Sequence, residues 1–196
     1  MNRIFAFAFA IAVACSTSTA FAQAFTQDKP QISGHLAYGA WMGDGDLNFY
    51  AFGLGARGGY TISPGVYVGG LFDFFFGETD ETNGPVVLGV PTASVKDSGN
   101  AWLLEGEVGY DFALSPSFVL RPKIGLGVTE LSEEACASAP LVGETCTDDS
   151  DGKFAFQVGL EAPIAMSGIF VAPEFRFNIV DDASGFILAV GIGAAF

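Results

Sequence analysis

The chain ends on 169-IFVAPEFRFNIVDDASGFILAVGIGAAF-196, and two strands can be read directly from it. In its first half Val171, Phe175, Phe177 and Ile179 share one parity, while Glu174, Arg176 and Asn178 share the other. In its second half Phe186, Leu188, Val190, Ile192, Ala194 and Phe196 alternate with Ile187, Ala189, Gly191, Gly193 and Ala195. A period of two puts alternate side chains on opposite faces of a strand. The polar joint Asp181–Ser184 carries turn chemistry between the two halves. A soluble sheet would bury the apolar face and wet the charges. The inverse arrangement puts the apolar face on lipid and the charges inside a closed lumen.

The same alternation recurs upstream. Strands are predicted over 32–43, 48–62, 66–77, 99–114, 118–132, 153–166, 169–180 and 185–196. In the fourth, Leu104, Val108, Tyr110 and Phe112 oppose Glu105, Glu107 and Asp111. In the fifth, Phe118, Leu120, Ile124, Leu126 and Val128 oppose Arg121 and Lys123. Tight turns at Ser63-Pro64-Gly65, Ser115-Pro116-Ser117 and Ser167-Gly168 alternate with longer polar joints at 43–47, 78–98, 133–152 and 181–184. One end is therefore plain and the other elaborated, as in an up-and-down barrel with short periplasmic turns and long extracellular loops. Proline keeps clear of strand centres, where its missing N–H would break the ladder. Pro64 and Pro116 sit in turns, and Pro85, Pro91 and Pro140 fall in the long joints.

Composition agrees with strands in a membrane. Half of the 196 residues are apolar and the mean hydropathy is +0.42, yet the formal charge is −14. The 20 Phe and 26 Gly argue against a helical bundle. Only 8 Lys and Arg are present, which excludes a basic, phosphate-binding surface and with it nucleic acid. Beyond the N-terminal segment no apolar run reaches about 18 residues, so strands must do any membrane crossing.

The N-terminal segment is predicted to be a secretory signal over 1–22, leaving a barrel domain over 23–196. Arg3 is its basic start, Ile4–Ala14 its apolar stretch and Ala20-Phe21-Ala22 its small-x-small cleavage site. Losing Arg3 takes the formal charge from −14 to −15. A rival reading makes Cys15 a lipidated N-terminus, but Ala12 stands where that motif wants Leu.

With its signal segment, alternating strands and terminal aromatic Phe196, the chain resembles small bacterial outer-membrane barrels of the OmpA-transmembrane, OmpX and OmpW-like type. The resemblance implies an all-β, eight-stranded antiparallel up-and-down transmembrane barrel in the outer membrane, with membrane lipid around it. It also implies that the last strand, ending on Phe196, is the signal read by the barrel-assembly machinery. Phe186, Val190 and Ile192 fit that pattern, and Ala194 is smaller than usual at its place. No peptidoglycan-binding segment follows, so wall tethering is not implied.

An eight-stranded barrel is just wide enough to be filled by side chains. The predicted lumen charge network is His35, Arg57, Asp73, Glu105, Glu107, Asp111, Arg121, Lys123, Glu161, Glu174 and Arg176. Unpaired charges there are costly, so pairing is expected. A hairpin centred on Pro116 sets Asp111 opposite Arg121; one centred between Ser167 and Gly168 sets Glu161 opposite Glu174. That like-charge contact needs a cation, for which Lys123 lies at similar depth. Two readings follow: a closed plug of salt bridges inside a membrane anchor, or a narrow pore for small or apolar solutes. Lumen glycines such as Gly53, Gly55, Gly59 and Gly125 leave space for a pore or small cavity, and glycine equally eases the strand bending that a narrow barrel needs.

The long joints are acidic, with Asp44, Asp46, Glu78, Asp80, Glu81, Asp97, Glu133, Glu134, Glu144, Asp148, Asp149, Asp151, Asp181 and Asp182. Divalent cations suit such an oxygen-rich rim. Thr147–Gly152 partly matches a calcium loop, but Val158 stands where its bidentate Glu belongs. Cys136 and Cys146 share one joint in an exported, oxidising setting, so a disulfide is expected there. No catalytic residue, metal site or cofactor is predicted. His35 is the sole histidine and no serine motif marks a nucleophile, which speaks against a hydrolase.

Overall fold

The computed structural model describes residues 24–42, 48–84, 86–87, 90–91, 93–139, 143–181 and 183–196. The segment over 1–22 expected to be a signal, with its Cys15, and Asp44, Asp46, Pro85, Pro140 and Asp182 lie outside the described residues. Eight strands form the ring. They are β1 (Pro30–Trp41), β2 (Phe52–Ile62), β3 (Val66–Asn83) and β4 (Ser94–Tyr110, resuming as Phe112–Ser115). Then follow β5 (Phe118–Ala139), β6 (Gly143–Glu161, resuming as Ile164–Met166), β7 (Ile169–Val180) and β8 (Gly185–Ala195). Each pairs antiparallel with the next, and β8 returns to β1 from Gln31↔Ala195 to Trp41↔Gly185. Closure leaves the wall without an open edge, as hydrocarbon demands.

Side-chain parity sorts the two faces as the alternation predicts. Leu104 is 52%, Leu126 67% and Ile192 60% exposed on the outer wall, whereas Asp73 and Arg176 are fully enclosed. The plain end is made by tight turns. Ser167 and Gly168 both have positive φ (49° and 94°) between the paired Met166 and Ile169, the two-residue hairpin geometry that matches strand twist. Gly65, at φ 130°, donates its N–H to Ile62 O at 2.7 Å and is glycine because a side chain there would be strained.

The elaborated end differs from expectation. Most of the joints expected at 78–98 and 133–152 is folded as ladder. β3 and β4 stay paired out to Asn83↔Ser94, and β5 and β6 out to Ala139↔Gly143. β4 and β5 pair as far as Ser94↔Ser138, so four strands rise together as one sheet beyond the barrel mouth. The apolar alternation stops there because neither face meets lipid or a packed lumen. Residues such as Thr79, Thr82, Ser98, Thr145 and Thr147 keep the strand without a hydrophobic signal. Hydrophobic periodicity therefore measures membrane thickness, not strand length. The calcium-loop reading fails for the same reason: Thr147–Gly152 is extended in β6, paired residue by residue with Ala135–Glu130, and does not curl into a loop.

Leu104 faces outward between Phe72 and Val128. Replacing it with Arg is expected to cost about 2–4 kcal/mol of folding free energy in lipid vesicles. Thr79→Arg, in the exposed hairpin, should stay within about 0.5 kcal/mol. Urea unfolding of both variants in the same vesicles checks the membrane depth of the wall.

Candidate functional site

Strand registers place the lumen charges. Asp111 lies between the pairs Gly109↔Lys123 and Phe112↔Leu120, so it faces Arg121, whose Nε is 2.5 Å from Asp111 Oδ1. Glu161 stands directly opposite Glu174. Lys123 enters between them, 2.6 Å from Glu174 and 3.5 Å from Glu161. A second cation, Arg57, does the same from β2, at 2.8 Å from Glu174 and 3.4 Å from Glu161. Both also hold Glu107, at 2.8 Å from Arg57 and 2.9 Å from Lys123. Two cations thus clamp three carboxylates. Hairpin geometry could not place Arg57 there because its contacts cross the lumen rather than the ladder.

A second group surrounds Asp73, which meets His35 Nε2 at 2.5 Å and Arg176 Nη1 at 2.6 Å. Arg176 Nε, 3.5 Å from Glu174, links the groups. Towards the turns, Arg121 also meets Glu161 at 3.3 Å, donates to Gln31 Oε1 at 2.8 Å and stacks 3.8 Å from the Tyr67 ring centre. The eleven residues of the predicted network are all buried. Glu105 alone among its carboxylates stands apart from any cation among the described residues.

The glycines expected to leave a channel are filled by their neighbours. A Cβ on Gly55 would collide with the Asp73 and His35 side chains, and one on Gly59 with the Tyr67 ring. Beside the upper charges and rising past them lies an apolar plug that the sequence does not announce: Leu71, Leu103 and Ile187 level with Glu105, Asp73 and Arg176, then Phe75 and Tyr50, with Trp41 and Phe49 against it. β2, expected from residue 48, begins at Phe52. Phe49 and Tyr50 instead turn into the mouth, where Tyr50 packs edge-on to Phe75 at 5.2 Å and donates its hydroxyl to Ala183 O at 3.2 Å. Parity is the available signal for the rest of the plug. Leu71 pairs with Glu105, Leu103 with Asp73 and Ile187 with Arg176, so all three share the inward face. At the other end residues 24–28 close the barrel from below. Thr26 is fully buried and donates to Asp111 Oδ2 at 2.7 Å, and Asp28 donates its N–H to Thr61 O at 2.7 Å.

The rising sheet sets carboxylates directly opposite one another at Glu133↔Asp149, Glu134↔Asp148 and Asp80↔Asp97. Lys96 stands between Glu81 and Cys136 in the next row. Cys136 and Cys146 are a directly opposed cross-strand pair joined as a disulfide, with Cα atoms 4.1 Å apart. Glu134 Oε1 lies 3.5 Å from Cys136 Sγ and Glu144 Oε1 4.0 Å from Cys146 Sγ. Phe196 is 69% exposed at the turn end, its N–H donated to Pro30 O at 3.1 Å.

Removing one partner of a buried ion cluster leaves charges uncompensated. Arg57→Met is therefore expected to cost about 3–5 kcal/mol in urea unfolding. The double variant Arg57→Met/Glu174→Met should lose distinctly less. A double-variant loss equal to the sum of the Arg57→Met and Glu174→Met losses would show that the two side chains are not coupled.

The sequence matches the outer membrane protein beta-barrel domain family over residues 7–196. No curated protein matched it. Among solved structures, Ail, the attachment invasion locus protein of Yersinia pestis, is similar at 13% identity and a TM-score of 0.57, covering 87% of this chain and 99% of Ail. Ail in complex with the heparin analogue sucrose octasulfate gives 15% identity and a TM-score of 0.56, over 86% and 98% of the two chains. A major outer membrane protein from Thermus thermophilus gives 12% identity and 0.56, over 85% and 99%. At these identities the structures speak for the fold, and the family match carries the assignment. The chain belongs to the outer membrane protein beta-barrel domain family and is a barrel of the bacterial outer membrane.

Proposed function

We propose that the protein is a non-enzymatic, sealed barrel that anchors an acidic, disulfide-braced sheet at the cell surface, for surface interaction or envelope integrity. The observation carrying this reading is the filled lumen. A charge cluster occupies its turn-side half, the Tyr50–Phe75 plug its outer half, and residues 24–28 its lower mouth. Each layer would have to move before a solute could pass.

The sheet's chemistry favours cationic partners. Opposed carboxylates at Glu133↔Asp149 and Glu134↔Asp148 repel one another unless a cation lies between them, and divalent cations suit paired oxygen ligands. A polysulfated ligand of the kind bound to Ail does not suit this surface. Residues 1–22 serve as the export signal in this reading, and the last strand with Phe196 as the segment engaged by the barrel-assembly machinery.

Planar-bilayer recording tests the sealed barrel. No unitary current steps are expected from the purified protein, and reproducible steps abolished by altering Arg176 or Glu107 would replace the anchor reading with a pore. Calcium should also slow proteolysis of the 133–152 hairpin in the wild type and leave a Glu133→Gln/Glu134→Gln variant unaffected.

A further inference from the structure

Nitrogens of His35, Trp41 and Arg176 lack a hydrogen-bond partner inside the barrel, but only three buried side chains carry oxygens with neither a hydrogen bond nor an ion pair among the described residues. Both carboxylate oxygens of Glu105, Oε1 of Gln157 and both side-chain polar atoms of Asn178 are enclosed without a hydrogen-bond partner. Glu105 is 3% exposed and the other two are fully buried. Gln157 Nε2 donates to Glu107 Oε1 at 2.7 Å, which fixes that amide and leaves its oxygen as the free atom.

Registers bring the three together. Asn178 is directly opposite Gln157, Gln157 opposite Gly125, and Glu105 opposite Gly127, one inward position along from Gly125. The position a Cβ would take on Gly125 lies 3.1 Å from Glu105 Oε2 and 3.2 Å from Gln157 Nε2. The two heads therefore meet over bare backbone, and Asn178 continues the row on β7. The apolar plug roofs this place with Leu103, the next inward residue on β4.

Charge supplies the second argument. Among the described residues the lumen holds four cations (Arg57, Arg121, Lys123, Arg176) against six carboxylates (Asp73, Glu105, Glu107, Asp111, Glu161, Glu174). Every lumen carboxylate except Glu105 has a cationic nitrogen within 3.4 Å, and Arg176 and Lys123, the cations whose charge is felt at Glu105, lie 2.6 Å from Asp73 and Glu174 instead, with Arg176 Nη2 left without a hydrogen-bond partner. Glu107 and Asp73 are the anions nearby, so the local excess is negative. An isolated buried carboxylate is too costly to leave uncompensated.

We propose that Glu105, Gln157 and Asn178 bind one monovalent alkali cation inside the barrel. The ligand atoms are all hard oxygens, as alkali and alkaline-earth ions require, and no thiolate or imidazole is among them. A single carboxylate beside two neutral amides matches one positive charge, whereas calcium sites gather several carboxylates. The proposal needs a filled lumen, and it requires nothing of the acidic sheet's partner.

The test is thermal unfolding of the detergent-folded, full barrel in sodium, potassium or tetramethylammonium chloride at equal ionic strength, which holds screening constant. The midpoint should be higher in an alkali salt than in tetramethylammonium and should climb with the logarithm of its concentration. The difference should vanish in Glu105→Gln. Equal midpoints of the wild type in all three salts, or an undiminished difference in Glu105→Gln, would overturn the proposal in favour of a protonated carboxyl or trapped water. Should Glu105→Gln fail to fold, rubidium-soaked crystals of the wild type decide. An anomalous peak among the three side chains supports the site, and a featureless lumen overturns it. Because neither readout is a current, this site can fail while the bilayer stays silent, and the reverse.

Discussion

Glu161 and Glu174 face each other across the β6–β7 ladder, in a lumen where bulk water cannot screen them. The barrel is organised around that repulsion. Its relief comes from Lys123 on β5 and Arg57 on β2, and these same two cations gather Glu107 from β4. One cluster thus spans five strands, including a pair (β2 and β7) that never touch through backbone. A hydrogen-bonded ring can in principle close in several registers, but this charge cluster is satisfied in one. The Coulomb energies are large only because the site is dry, and desolvation opposes them. The cluster's main contribution is therefore specificity of closure, with net stability coming from the lipid-facing wall and the ladder.

The lumen has two chemistries in series. Charges dominate the turn-side half and aromatic and aliphatic side chains the half below the surface sheet, the two overlapping where Leu71, Leu103 and Ile187 stand beside Glu105, Asp73 and Arg176. A single interior that changes character along its axis explains how an acidic protein keeps water out of its own centre. The rim holds carboxylates that solvent can hydrate, the plug excludes that solvent, and the deep carboxylates meet arginine and lysine instead.

Much of this is legible in the sequence because membrane strands obey a rigid parity. Face assignment, the tight turns, Asp111 opposite Arg121 and Glu161 opposite Glu174 all follow from counting residues from a turn. Contacts across the lumen do not, since parity says that Arg57 points inward but not which distant strand it meets. Phe49 and Tyr50 read as strand because an aromatic at either parity favours β. The upper halves of β3 to β6 read as loop because alternation is the mark of a strand only where it is immersed in lipid. The free oxygens of Glu105, Gln157 and Asn178 are invisible to any one-dimensional reading, as they depend on which groups fail to meet.

The disulfide has a bearing on the lumen far below it. Cys136 and Cys146 are strict cross-strand partners, and the same β5–β6 register, followed down the ladder, sets Arg121 against Glu161. A covalent bond at the outer tip is therefore a mechanical reference point for charges at the opposite end of the strand pair. Sliding β6 by one residue would turn its lumen-facing side chains toward lipid, and sliding it by two would move Glu161 out of reach of its cations. Oxidised before the barrel closes, the hairpin would enter the membrane with that alignment already chosen.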